Sequence, residues 1–212
     1  MPEQTIFSQD RNQVEMCGII AGQPCVSHQF GEQIFYTFPI LIPRLSGTED
    51  CLRILAPQTV FDPQQYTEGD CISLSGSIRS RNTHENEKYH LILSVYAYCI
   101  SPDPEGCFPQ NDVTLVGTVC KPPIHRITPL GREVCDIMLA VRRPYGRADF
   151  LPLIAWGKNA QLATGAGVGC RFACSGRFQS RIYTKTENDV TSERTAYEVS
   201  LASLQTAPKT LT

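Results

Sequence analysis

The chain has 212 residues, 42% hydrophobic and 19% charged, the balance of a folded globular protein rather than a disordered one. It has no run of about 18 apolar residues, so no membrane span is expected, and its polar start, Met1 to Arg11, lacks the apolar core of a secretory signal. The formal net charge of −2 hides an imbalance: residues 1–110 carry 6 Lys/Arg against 13 Asp/Glu, and residues 111–212 carry 13 against 8, which points to a polyanion partner for the second half.

The first hundred residues recur in the second hundred. Asn12-Gln-Val-Glu-Met-Cys-Gly18 resembles Asn111-Asp-Val-Thr-Leu-Val-Gly117, an offset of 99. At the same offset Phe38-Pro-Ile-Leu-Ile-Pro-Arg44 lies over Ile137-Met-Leu-Ala-Val-Arg-Arg143, Gly47 over Gly146 and Asp50 over Asp149. Arg53-Ile-Leu-Ala56 follows over Pro152-Leu-Ile-Ala155, and Gly76-Ser-Ile-Arg-Ser-Arg81 over Gly176-Arg-Phe-Gln-Ser-Arg181 at an offset of 100. Ordered blocks at a period near 100 indicate a duplicated domain, since solenoid repeats are far shorter. Between the copies, Ser101-Pro-Asp-Pro-Glu-Gly-Cys-Phe-Pro-Gln110 holds three prolines and a glycine and reads as a linker. The expected division is residues 1–100, linker 101–110, residues 111–206 and a short tail at 207–212.

Each copy reads as β. In the second, Val113, Leu115 and Val119 alternate with Asp112, Thr114 and Thr118, and Ile137, Leu139 and Val141 with Asp136, Met138 and Arg142. Leu151, Leu153 and Ala155 alternate with Phe150, Ile154 and Trp156. Phe178 and Ile182 alternate with Arg177, Gln179 and Arg181, and a last strand runs from Thr195 to Leu201. The segment 157–164 is helix-like. Five strands with a helix between the third and fourth is the pattern of an OB-fold barrel. The expected fold class is therefore all-β: two tandem OB-fold five-stranded barrels, each with a short helix between strands three and four.

The ten cysteines form no Cys-x-x-Cys pair, and the four histidines match no catalytic or metal spacing. The cysteines read as small buried hydrophobes without disulfides. Gly165-Ala-Gly-Val-Gly169 lacks a following Gly-Lys-Ser/Thr and reads as a turn rather than a phosphate cradle. No nucleophile–base pair or ligand set supports an enzyme. No catalytic residue, metal or cofactor is expected.

The chemistry lies on the faces that point away from the core. Phe150 and Trp156 share the face opposite Leu151 and Leu153; Arg177, Gln179, Arg181 and Tyr183 share the face opposite Phe178. Arg142, Arg143, Tyr145 and Arg147 fall in the turn between strands two and three. Aromatic rings and arginines on one face suit single-stranded nucleic acid, because bases stack on rings and phosphates meet cations. The candidate phosphate contacts are Arg142, Arg143, Arg147, Lys158, Arg177, Arg181 and Lys185. In the first copy Arg44, Arg79 and Arg81 form a secondary, weaker track.

The second copy resembles the bacterial single-stranded DNA-binding protein family. The resemblance rests on Asn111–Gly117, Arg126-Ile-Thr-Pro-Leu-Gly131, Asp136-Ile-Met-Leu-Ala-Val141, Ile154-Ala-Trp-Gly157 and Gly176–Tyr183, in that order over residues 111 to 204. It implies an OB barrel with no enzymatic activity and no cofactor. The family's stacking aromatics fall at Tyr145, Phe150, Trp156 and Tyr183. It also implies four OB domains acting together, hence a homodimer of this two-copy chain, in the cytoplasm and on the nucleoid. The expected role is to coat single-stranded DNA in replication, recombination or repair. The alternative is a replication-restart or recombination accessory protein acting mainly through protein contacts. Two departures matter. The family's acidic recruitment tail is missing from Gln205-Thr-Ala-Pro-Lys-Thr-Leu-Thr212, and Cys51, Pro57 and Thr83 stand where Phe150, Trp156 and Tyr183 stand in the second copy. The first copy is accordingly expected to be a scaffold or dimerisation domain.

Overall fold

Alternating apolar and polar residues become strands because period-two alternation puts every apolar side chain on one face of the pleat. The computed structural model describes residues 6–85, 88–103, 108–187 and 190–207, without the side chains of 85, 88, 89, 185–187 and 190. Parts of the expected linker (104–107) and tail (208–212) lie outside the described residues. The first copy forms β1 (Arg11–Ile20), β2 (Cys25–Phe30), β3 (Gln33–Pro43), β4 (Glu49–Pro57), β5 (Cys71–Glu85) and β6 (Lys88–Pro102). The second forms β7 (Gln110–Val119), β8 (Ile124–Ile127), β9 (Glu133–Arg142), β10 (Ala148–Trp156), α1 (Lys158–Thr164), β11 (Arg171–Glu187) and β12 (Val190–Thr206). Each copy thus adds a short, exposed edge strand, β2 or β8, to the five read from alternation.

The strand order is β2-β3-β4-β6-β5-β1-β7-β11-β12-β10-β9-β8, and it reads the same from both ends when each strand is exchanged for its counterpart six places on. The pairings β3–β1 and β7–β9 close each half into a barrel. At the centre β1 pairs antiparallel with β7, and Val14 lies opposite Val113, its own counterpart in the repeat. A local two-fold axis therefore passes through this pair, and the chain is a dimer of barrels made covalent. The core runs through both halves, from Ile40, Leu52, Ile54 and Ile72 to Leu115, Leu139, Leu151 and Phe172, all fully buried.

Closure demands close backbone approach at matching points. A bulge falls between Ser75 and Gly76 and again between Ser175 and Gly176. A Cβ on Gly76 would lie 2.2 Å from the Tyr96 carbonyl oxygen, and one on Gly176 would lie 2.1 Å from that of Ser200. Only glycine fits at either point.

The expected helix forms in the second barrel alone; the first has none between β4 and β5. Pro63 and two local turns break the segment there: the Gln64 N–H donates to Asp62 Oδ1 at 3.0 Å, and the Thr67 N–H to Asp70 Oδ2 at 2.7 Å. Two aromatics close that end of the core instead. Phe61 stacks on Phe38 at 4.4 Å and on Tyr66 at 5.1 Å between ring centres. The cysteine expectation also needs correcting. Cys17, Cys135 and Cys174 are buried, but Cys25, Cys51 and Cys99 are exposed, and Cys71 is disulfide-bonded. No helix among the described residues is long and apolar enough to cross a membrane.

Candidate nucleic-acid interface

The two long hairpins, β5–β6 and β11–β12, run past their own barrels and are gripped by the opposite one. In the second barrel Asp149 is buried; its Oδ1 accepts the Ser80 N–H of the first barrel at 2.7 Å. Arg143 pairs with the same carboxylate, Nε to Oδ2 at 2.8 Å, and donates to the Ser80 carbonyl at 3.2 Å. The Phe150 N–H donates to the Ser80 hydroxyl at 2.8 Å. The mirror arrangement binds Ser180: buried Asp50 accepts its N–H at 2.9 Å, Arg44 donates to its carbonyl at 2.8 Å, and the Cys51 N–H donates to its hydroxyl at 2.9 Å. Arg44 is itself paired with Asp50, Nε to Oδ2 at 2.9 Å. Every group in one clasp has its counterpart in the other, except that Arg79 adds a second guanidinium to Asp149 at 3.1 Å, where Gln179 stands in the second copy. Hydrogen bonding to Asp149 raises the Arg143 pKa further, so this guanidinium stays charged throughout.

Three of the arginines nominated for phosphate, Arg44, Arg79 and Arg143, thus have their guanidiniums on buried carboxylates. Arg142, Arg147, Lys158, Arg181 and Arg81 are exposed. Arg177 is partly buried; its Nε and one Nη are out of solvent with no hydrogen-bond partner among the described residues. The Lys185 side chain lies outside the described residues.

All four nominated aromatics are on the surface: Phe150 is 44% exposed, Trp156 40%, Tyr183 36% and Tyr145 102%. Phe150 and Trp156 lie on the outward face of β10, whose alternate residues Leu151, Leu153 and Ala155 are buried. Six residues of strand put them about 20 Å apart, so they would meet different nucleotides. Tyr183 stands three residues beyond Ser180 on the projecting part of β11, with the Arg181 guanidinium 5.8 Å from its ring centre. Ile182, read as inward-facing, is 69% exposed, because this part of β11 has left its own barrel.

Tyr145 is set apart from the other three. It lines a cleft of about 1180 Å³ on the first barrel, together with Arg53, Leu55 and Thr37 on β3 and β4, Arg79 and Arg81 on β5, and Tyr96 on β6. The second barrel contributes Arg143, Pro144, Tyr145, Arg147 and Ala148, from the hairpin between β9 and β10. Among the described residues five arginines line this cleft and no carboxylate does. Arg53, Tyr96 and His28, which also lines it and stacks on Phe35 at 4.5 Å, escaped the sequence reading. The available signal was the alternation of Cys51, Arg53 and Leu55 with Leu52, Ile54 and Ala56, which turns Arg53 outward.

Fold and surface together define a protein of two fused OB barrels with exposed aromatic and cationic faces. Residues 110–207 match the model of the Single-strand binding protein family. The single-stranded DNA-binding protein of Halalkalibacterium halodurans is 36% identical over 84 residues, 36% of this chain and 50% of that protein. Single-stranded DNA-binding protein 3 of Listeria innocua is 38% identical over 81 residues, 35% of this chain and 51% of that one. The chain spans about half the length of the curated relatives it matches. The wild-type single-stranded DNA binding protein from Thermus aquaticus has the same fold over both barrels. Its TM-score is 0.76 at 21% identity, covering 95% of each chain.

Proposed function

We propose that this chain is a non-enzymatic protein that coats single-stranded DNA by base stacking and phosphate contacts, with little regard for sequence. The observation that carries the reading is the outward pair Phe150 and Trp156 on a strand whose other face is core. Large aromatic surface held open by a rigid strand is what an unpaired base needs, and every base has a face to stack. Arg142, Arg147, Lys158 and Arg181 are exposed cations on the same barrel and supply the phosphate contacts. Arg143, Arg44 and Arg79 serve the barrel joint first, and reach phosphate only with what the buried carboxylates leave free. Two chains associating would bring four barrels to one strand.

The test is a fluorescence-anisotropy titration of labelled oligo(dT) over a range of salt. Affinity is expected to fall with salt at a slope of about −0.7 for each phosphate contacted. Duplex DNA of the same length is expected to bind far more weakly, because its bases are already stacked. Equal affinity for duplex and single strand, or binding that ignores salt, would contradict the proposal.

A further inference from the structure

Three side chains of the first barrel converge where the linker leaves it. Cys17 comes from β1, Cys71 from the first position of β5, and Asp103 from the linker just past β6. The Cys17 and Cys71 sulfurs are 3.7 Å apart, and the Cys17 sulfur is 3.4 Å from Asp103 Oδ2. The three ligand atoms all lie within 4.8 Å of one another. A tetrahedral ion with metal–sulfur bonds of about 2.3 Å and a metal–oxygen bond of about 2.1 Å needs its sulfurs about 3.8 Å apart and a sulfur about 3.6 Å from the oxygen. The side chains already stand close to that spacing.

The carboxylate is held in place. The Asp103 N–H donates to the Cys71 carbonyl at 3.0 Å, and the Ser73 hydroxyl donates to Asp103 Oδ2 at 3.2 Å. A hydrogen bond of this kind orients a carboxylate that binds metal. Cys17 is buried, 3% exposed. Burial pushes its thiol above the ordinary value; a hydrogen bond with Ser73 opposes the rise and the Asp103 carboxylate adds to it. A dication here would draw off the thiol proton and neutralise the carboxylate together. The fold itself does not require the cluster: at the matching places in the β7–β11 register the second barrel has Val116 and Arg171. The three residues lie too far apart in the sequence to form a spacing motif.

We propose that, once the Cys71 disulfide is reduced, Cys17, Cys71 and Asp103 hold a zinc ion that fastens the start of the linker to β1 and β5. Two thiolates and a carboxylate suit zinc, whereas magnesium and calcium take oxygen ligands. Water takes the fourth position. Cys71 is disulfide-bonded, so reduction comes first. A dithiol reductant supplies the two electrons and is itself oxidised to a cyclic disulfide; Cys71 and the cysteine bonded to it end as thiols. Zinc then replaces the protons on the Cys17 and Cys71 sulfurs, and these pass to solvent. The site makes no use of the single-strand reading and is tested separately from it.

The experiment uses the full chain, reduced with a dithiol and freed of it by anaerobic gel filtration. Equilibrium dialysis against zinc chloride with elemental analysis gives the bound metal, and cobalt(II) in place of zinc gives the ligand field. The reduced wild type is expected to bind zinc, and its cobalt form to show the intense visible bands of a tetrahedral site with a thiolate-to-metal charge-transfer band. C17S and C71S should lose both. D103N should bind at least about tenfold more weakly, and S73A about 10–100-fold more weakly. Circular dichroism without metal checks that each variant folds. Zinc should raise the melting temperature of the reduced wild type but not of C17S or C71S. No zinc on the reduced wild type would overturn the proposal. So would equal affinity in C17S and C71S, which would place the ion on other thiols, or equal affinity in the oxidised chain. An unchanged affinity in D103N would overturn it as well, since the carboxylate would then be no ligand.

Discussion

Ser80 of the first barrel donates its backbone N–H to the buried carboxylate of Asp149 in the second, at 2.7 Å. Ser180 and Asp50 repeat the contact in the other direction at 2.9 Å. Together with the β1–β7 seam, these two clasps make the barrels one body and place each projecting hairpin on the neighbour's surface.

Removing the Asp149 carboxylate would take away the acceptor that two arginines and the Ser80 N–H share, leaving Arg143 only the Ser80 carbonyl and Arg79 only the Tyr98 hydroxyl. Breaking a buried pair from one side costs about 3–5 kcal/mol. The quarter exposure of both arginines moves the expectation for Asp149→Ala to the lower end of that range. Urea denaturation measures it. A loss below about 1 kcal/mol would mean that the clasp does not hold the barrels together.

Trp156 and Phe150 are expected to behave oppositely to Asp149. Trp156→Ala should weaken oligo(dT) binding by about 1–3 kcal/mol and lower the melting temperature less than Asp149→Ala does, because Trp156 is 40% exposed on the outward face of β10. Anisotropy titration and calorimetry on the same sample separate the two effects.

Gly176→Ala should destabilise the second barrel by about 1–3 kcal/mol, since the new methyl meets a backbone oxygen that cannot swing aside. Denaturant unfolding provides the number. A neutral outcome would show that the bulge at Ser175/Gly176 can open without cost.

Burial pushes the Cys174 thiol up to about 12, from an ordinary value near 9. Above pH 9 the unfolded chain therefore releases this proton while the folded chain keeps it. Stability from this group is complete below about pH 9 and is lost progressively towards pH 12. Cys174→Ala removes the titrating group along with some packing. The stability advantage of the native protein over this variant should narrow as pH rises above about 9, which urea midpoints at a series of pH values would record.

The duplication was open to sequence reading because both barrels must close at the same points. Gly76 and Gly176 are forced by backbone contact, and Asp50 and Asp149 by the clasps, so these positions kept their identity in both copies. The outward aromatics of β10 were readable for a similar reason: alternation with buried Leu151 and Leu153 leaves Phe150 and Trp156 no inward position. The clasps themselves were hidden. Nothing local in Arg44 or Arg143 separates an arginine that meets phosphate from one that meets a carboxylate brought from another strand and a serine from another barrel. The first barrel's cleft was hidden by summation. Its net acidity is spread over the surface, whereas Arg53, Arg79 and Arg81 converge on one face and draw Arg143 and Arg147 from the second half. The missing helix followed from Pro63 and its two local turns, and the stack of Phe61 between Phe38 and Tyr66 that closes this end of the core shows no period to read.

The open face of β10 is proposed to carry stacked bases. Trp156 is the chain's single tryptophan, so its fluorescence reports on that face alone. Titration with poly(dT) at low salt is expected to quench it strongly, with recovery on adding salt. Binding that leaves the Trp156 emission unchanged would contradict the claim and move the DNA to another surface.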